Sequence, residues 1–309
     1  MRAYAPTGRA HTGAPHVVLA ERPQPRPRPD EALIKVEAYS VNRGETFKLE
    51  EPGASWLPGK DVAGLVVQQA ADGSGPEAGR RVVGHPMSAG WAEYAAVPTS
   101  ALAALPDGVD SVRAAALPLA GLTALRLLRA AGPVGGRRIL LTGASGGVGH
   151  YVTELAAAAG ARLTAVTGSP ERGARLLELG AEQVVHDVAA ATGPYDLVLE
   201  STGGGALPAA LARLRRGGTL IWFGQASRTP VTLDFFDFFK GPESATLRHF
   251  HYMDFPESFA DDLAALVRLV AGGRLRPELG RVTDWADTAA TLVDLRERRI
   301  RGNAVLTLS

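Results

Sequence analysis

Residues 137–151, RRILLTGASGGVGHY, constrain this chain more than any other stretch. A β-rich apolar run passes through a glycine-rich turn into GVGHYVTELAAAAG, whose apolar spacing is helical and which Gly160 closes. Glycines at a strand-to-helix turn let the backbone approach a pyrophosphate, and the helix N-terminus offers N–H donors and a positive dipole. The literal G-x-G-x-x-G is absent, because Ser145 takes the second glycine's place. Gly143-Ala144-Ser145-Gly146-Gly147 also fits G-x-S-x-G, the elbow that exposes a nucleophilic serine. That elbow requires an acid and then a histidine downstream, for which Asp187 or Asp234 with His249 or His251 are the candidates. No Gly-rich oxyanion loop precedes the turn, however, and the strand ARLTAVTG (161–168) completes a βαβ unit after it. A nucleotide site is the better reading, with Ser145 a turn residue over a phosphate.

The surroundings set the architecture. Before the turn, EALIKVEAYSV (31–41), DVAGLVVQQA (61–70), RRVVGHP (80–86) and GWAEYAAVP (90–98) read as short strands between Gly, Pro and Asp. PQPRPRPD (23–30) is a polyproline-like, solvated connector. From about residue 118 strands and helices alternate. GLTALRLLRAAG is a helix, and SPERGARLLELG a helix capped by Ser169 with Pro170 at its first position. EQVVHD and YDLVLEST are strands, ALPAALARLRRGG a helix and TLIWFGQ a strand, the pattern of a doubly wound parallel sheet. The tail gives two helices, PESFADDLAALVRLVAGG and WADTAATLVDLRERR, and a last strand, NAVLTL. The expected organisation is a β-rich domain over 1–118 and 256–309, interrupted by an α/β domain over 119–255.

Composition removes several functions. The net charge of +1, with no basic block, gives no footprint for nucleic acid or a membrane surface. The chain contains no cysteine, which excludes disulfides, thiolate nucleophiles and cysteine-ligated zinc. No signal-peptide core or bilayer-length apolar run is present, so a cytoplasmic protein is the expectation.

Thr142-Gly143 with Gly147 and Gly149 resembles the turn of short-chain dehydrogenases, but that family needs a downstream Tyr-x-x-x-Lys pair. Four residues after Tyr151, Tyr195 and Tyr252 stand Leu155, Leu199 and Pro256, so the reading fails. A second resemblance extends along nearly the whole chain. SVNRGETF (40–47), LPGKDVAGLVV (57–67), GRRVVG (79–84), GWAEYAAVP (90–98) and LPLAGLTAL (117–125) come in order, followed by GGRRILLTGASGGVG (135–149). LGAEQVVHD (179–187), GGTLIWFG (217–224) and RGNAVLTL (301–308) complete the series. Together they resemble the zinc-independent medium-chain dehydrogenases/reductases, the quinone oxidoreductase and enoyl reductase group.

The resemblance implies an α/β fold, a Rossmann doubly wound parallel sheet inserted into a β-rich GroES-like catalytic domain, and a homodimer. It implies an NADPH-dependent reductase passing hydride to a quinone or an α,β-unsaturated carbonyl. The alternatives are reduction of an enoyl thioester or biosynthetic intermediate, and a non-catalytic NADPH-binding protein of this fold. Zinc-using relatives place a cysteine near SVN and a Gly-His-Glu before the Ala-Gly; here those places hold Asn42-Arg43 and Gly59-Lys60-Asp61. A lysine in place of an imidazole repels a metal. His85, His186, His249 and His251 remain as ligand candidates; His249 and His251 flank Phe250 at i, i+2 spacing, with no third ligand visible. The second strand ends in VTGSPER, with no carboxylate at Thr167, Gly168 or Ser169. The Ser169 hydroxyl and Arg172 guanidinium suit a 2′-phosphate instead, which favours NADPH over NADH. By the resemblance, Gly143, Ser145, Gly146, Gly147 and Val148 lie at the pyrophosphate and Thr123 at the nicotinamide ribose. Phe223 and Gly224 contact the nicotinamide half, and Asn303 closes the site. Asn42 and Phe47 sit near the nicotinamide, Phe47 where many relatives have tyrosine. Phenylalanine cannot donate a proton or hydrogen bond, so an oxyanion formed on the acceptor needs Lys60, Asn42, Tyr39 or water. DFFDFF (234–239) suits a substrate pocket, a dimer contact or core, and loops 44–56 and 226–255 are expected to set specificity.

Overall fold

A computed structural model describes residues 1–7, 16–51 and 56–308. Residues 52–55 of the expected specificity loop 44–56 lie outside the described residues. The chain divides into two compact units, Met1–Leu122 with Pro256–Ser309, and Thr123–Phe255. No helix among the described residues is long and apolar enough to cross a membrane.

The first unit is built on the strand Glu31–Val41, buried over most of its length, with only Lys35 exposed. It pairs antiparallel with Val62–Gln68, Tyr94–Pro98 and Asn303–Thr307. The sheet runs on through Arg81–Gly84 to Leu102–Ala104, and on the other side Leu279–Asp284 pairs with Asn303–Thr307. Trp91, fully buried, stacks on Tyr39 at 5.9 Å and donates from Nε1 to the Ser40 carbonyl at 3.0 Å. The short helix Arg43–Leu49 begins at Asn42, directly after the long strand. Residues 23–30 carry no helix or strand and are largely exposed, as a polyproline-like connector requires.

The second unit holds a six-stranded, all-parallel sheet in the order Gln183–Val185, Arg162–Val166, Arg138–Leu141, Tyr195–Glu200, Leu214–Trp222, Thr246–His249. The chain winds outward one way from Arg138–Leu141, then returns to Tyr195–Glu200 and winds outward the other way. The strand order therefore reverses between these two strands, the position where doubly wound sheets bind ligands. Ile139, Leu140, Leu141, Leu197, Val198 and Leu199 are fully buried, the unalternating apolar run of strands covered on both faces.

Two expected helices differ. The one over 169–180 is broken at Gly173 into a 3-10 turn, Pro170–Arg172, and a short helix, Ala174–Glu178. A side chain on Gly173 would come within 2.7 Å of Val184, so the segment passes close to the sheet at the break. The helix expected over 206–218 ends at Leu211, and Leu214–Trp222 is strand, because Leu214 pairs with Tyr195.

Candidate functional site

In the second unit the glycine turn and its neighbouring loops form one hydrogen-bonded group. Gly143 adopts a left-handed φ of +63°. The helix Gly147–Ala158 starts from Gly146, which caps it with no side-chain hydrogen bond. Gly143 and Gly146 are exposed, and Gly147 and Val148 half-buried. A Cβ on Gly149 would fall 2.3 Å from the Ala144 carbonyl oxygen, so only glycine lets the helix rest on the turn. Ser145 is buried, and its Oγ accepts from Thr167 Oγ1 at 2.9 Å, tying the turn to the end of the second strand. His249 and His251 are exposed, and His251 Nδ1 lies 3.3 Å from Asp254, so neither is paired with Ser145.

Beyond Thr167 the chain reaches Gly168, exposed, then Ser169 and Arg172, both half-buried. The Ser169 hydroxyl bonds the Glu171 carboxylate, which holds that acid below its usual range, with His186 adding a smaller attraction. Ser169 must therefore leave Glu171 to meet a phosphate. Phe223 donates its backbone N–H to the Glu200 carbonyl at 2.9 Å, and Gly224 lies against the Ser201 backbone, 3.1 Å from where a Cβ would stand. Thr123 is mostly buried in the helix Pro118–Ala131. Of the DFFDFF phenylalanines, Phe238 packs into the core while Phe235, Phe236 and Phe239 are 61–69% exposed and touch one another.

In the first unit the predicted catalytic residue Asn42 bridges two buried carboxylates. Asp61, fully buried, accepts from Ser40 Oγ at 2.5 Å, Asn42 Nδ2 at 2.6 Å and the Leu119 N–H at 2.8 Å. Glu45 accepts from the Asn42 N–H at 2.9 Å, from Asn42 Nδ2 at 3.3 Å and from the Gly59 N–H at 3.1 Å. Burial, then the nearby Asp61 charge, push the Glu45 carboxyl up to about 8. Asn42 thus spends its amide hydrogens on carboxylates. His85, also buried, lies with Nδ1 2.6 Å from the Lys60 carbonyl, so Nδ1 carries the proton and pins the backbone of Lys60. The Lys60 side chain itself is half-exposed.

Tyr39 is fully buried, its hydroxyl 2.6 Å from Thr288 Oγ1, and Thr288 Oγ1 donates to the Trp285 carbonyl. The tyrosine proton is therefore committed to Thr288. Phe47 lies under the Arg43 guanidinium, 5.7 Å from ring centre to Cζ. Asn303 is buried in its strand, with backbone N–H and Nδ2 both donated to the Glu278 carbonyl.

The model of the alcohol dehydrogenase GroES-like domain matches residues 28–107, and that of the zinc-binding dehydrogenase residues 147–269. The quinone oxidoreductase of Sus scrofa is 30% identical over 303 residues, 92% of this chain and 91% of its own. The chain belongs to the quinone oxidoreductase type of the medium-chain dehydrogenases/reductases. Within that family, the Arabidopsis thaliana chloroplast envelope quinone oxidoreductase homolog is 36% identical over 204 residues, 59% of either chain. A mycobacterial protein solved in complex with NADPH is 29% identical, with a TM-score of 0.88 over 99% of this chain and 100% of its own.

The sequence reading missed four contributors: Glu45, Thr142, Glu200 and Ser201. A carboxylate three residues after Asn42 is a capping-box signal and was available. The polar run LEST at a strand end hints at Glu200 and Ser201, and Thr142 stands next to the quoted glycine turn.

Proposed function

We propose that this chain is an NADPH-dependent reductase that passes hydride to a quinone or an α,β-unsaturated carbonyl, without zinc. The observation that carries the reading is the uncapped helix start at Gly146, next to the reversal of strand order, in a chain of this family. The residues fit the cofactor. The left-handed Gly143 and the side-chain-free Gly146 let a pyrophosphate approach the start of the helix, and Arg172 stands beyond the second strand for a 2′-phosphate. Bound there, NADPH supplies the hydride. Lys60 is the donor assigned to the oxyanion left on the acceptor, because Asn42 and Tyr39 have committed their hydrogens.

Donor chemistry supports the zinc-free half of the reading. Asn42 and Asp61 are already bonded to each other, Lys60 brings a positive charge, and the chain has no cysteine. Among the described residues no three His, Cys, Asp or Glu side chains gather to hold a metal. A quinone or enone is reducible without a Lewis acid, whereas alcohol oxidation would lose its usual alkoxide stabiliser.

Purified protein with NADPH and a panel of quinones, enones and enoyl thioesters tests the reading through loss of nicotinamide absorbance. Turnover restricted to thioesters selects the enoyl reductase alternative, and NADPH binding with no acceptor reduced selects the non-catalytic one. Lys60→Met is expected to lower kcat about tenfold or more with the NADPH Kd unchanged. An unaltered kcat returns Lys60 to the surface and leaves water as the donor. Arg172→Ala is expected to weaken NADPH about 30-fold while NADH changes less than about twofold. Equal weakening of both cofactors would remove the 2′-phosphate from Arg172.

A further inference from the structure

The Glu200 carboxylate is fully buried at the end of Tyr195–Glu200, and its hydrogen-bond partners are all neutral. Oε1 accepts from Thr142 Oγ1 at 3.0 Å and from the Thr202 N–H at 2.8 Å. The Gly203 N–H lies 3.1 Å from Oε1 and 3.0 Å from Oε2. Burying a carboxylate with no cation beside it is unfavourable, and an apolar side chain would serve a strand end better. The placement therefore calls for a use.

The partners point to it. Thr142 immediately precedes Gly143 of the phosphate turn. Its Oγ1 accepts the Ser201 N–H at 2.9 Å, and its carbonyl accepts from Ser201 Oγ at 3.0 Å. Ser201 Oγ is so close that a Cβ on Gly143 would sit 2.5 Å from it. Gly203 and Gly204 follow in left-handed conformations, φ +71° and +55°. The next loop is fastened to the same segment: Ala226 donates to the Ser201 carbonyl at 3.0 Å and Ser227 to the Thr202 carbonyl at 2.8 Å. Two loops at the reversal of strand order, around residues 142–147 and 201–204, thus meet at one carboxylate, and a third, around 223–227, is fastened to the backbone of the second.

We infer that Glu200 is a positioning residue for the dinucleotide: its carboxylate holds Ser201–Gly203 against Thr142 and so sets the wall of the crevice beside the phosphate turn. The inference rests on the NADPH reading above. Glu200 does not itself face the cofactor. It draws the Thr202 and Gly203 N–H groups inward and fixes a backbone that two left-handed glycines would otherwise leave free. Burial raises the Glu200 carboxyl above its ordinary range, and the hydrogen bonds from Thr202, Gly203 and Thr142 oppose that rise.

The test uses the full-length protein, Glu200→Gln and Thr142→Val, titrated with NADPH by its fluorescence at a temperature well below each melting point. Gln keeps the shape but turns an amide N–H toward a backbone donor. Val keeps the shape but strips Ser201 N–H of its acceptor. Each variant is expected to raise the NADPH Kd about tenfold and the KM for NADPH in parallel, with kcat within about twofold of wild type. Kd values equal to or tighter than wild type in both variants, with or without a lower melting temperature, overturn the inference and make Glu200 structural only. If Glu200→Gln does not fold, Thr142→Val decides alone. A wild-type protein that gives no NADPH titration overturns the cofactor reading, an outcome separate from an unchanged Kd in the variants.

Discussion

Alanine at Gly149 is expected to abolish measurable NADPH binding and to lower Tm by about 10 °C, whereas alanine at Gly146 lowers binding alone. The difference lies in what each new methyl meets. At Gly149 it meets the Ala144 backbone at 2.3–2.6 Å, and no flexible side-chain end is present to move aside. The helix Gly147–Ala158 has to lift off the turn, an overpacking cost of about 3 kcal/mol. At Gly146 the nearest atom is the Gly143 carbonyl oxygen at 3.4 Å, and φ of −83° suits any residue. That methyl stands on an exposed N-cap, at the proposed pyrophosphate site. A Kd increase of about 30-fold with Tm unchanged is the expectation, from titration and calorimetry. Wild-type affinity in Gly146→Ala would place the pyrophosphate elsewhere.

The second large effect is a pH dependence from Glu45. Its folded-state carboxyl is pushed up to about 8, against an ordinary value near 4.5. Between these values the folded chain keeps a proton that the unfolded chain has released. Stability therefore falls as pH rises through this window and levels above it. The upper bound of the fall is on the order of 5 kcal/mol. Calorimetry from about pH 5 to pH 9 should show the decline in wild type and a flatter profile in Glu45→Gln. Parallel profiles would mean that Glu45 stays ionised, its N–H donors from Asn42 and Gly59 outweighing burial.

These expectations concern groups of unequal legibility. The alternation of strands and helices from residue 118 onward was readable because fully buried parallel strands are short unbroken apolar runs between glycines. Gly143 and Gly146 were readable because turn chemistry is local. The break at Gly173 was not, since the close approach to Val184 there, eleven residues away, is a tertiary contact. Nor was the early end of the 206–211 helix, which pairing of Leu214 with Tyr195 decides. The sequence offered Asn42, Tyr39, Lys60 and water as equal donors. The distances to Asp61, Glu45 and Thr288 take out the first two.

By itself, then, the sequence determined the α/β class, the place of the glycine turn and the absence of cysteine chemistry. Each depends on residue type and on neighbours within a few positions. Tertiary structure alone decided which polar atoms are already spent. Thr142 meets Ser201, Tyr39 meets Thr288 and Asp61 meets Leu119 across spans of 58 residues or more. A buried hydrogen bond consumes a donor whatever its distance along the chain, and only the folded arrangement shows which donors remain for a ligand.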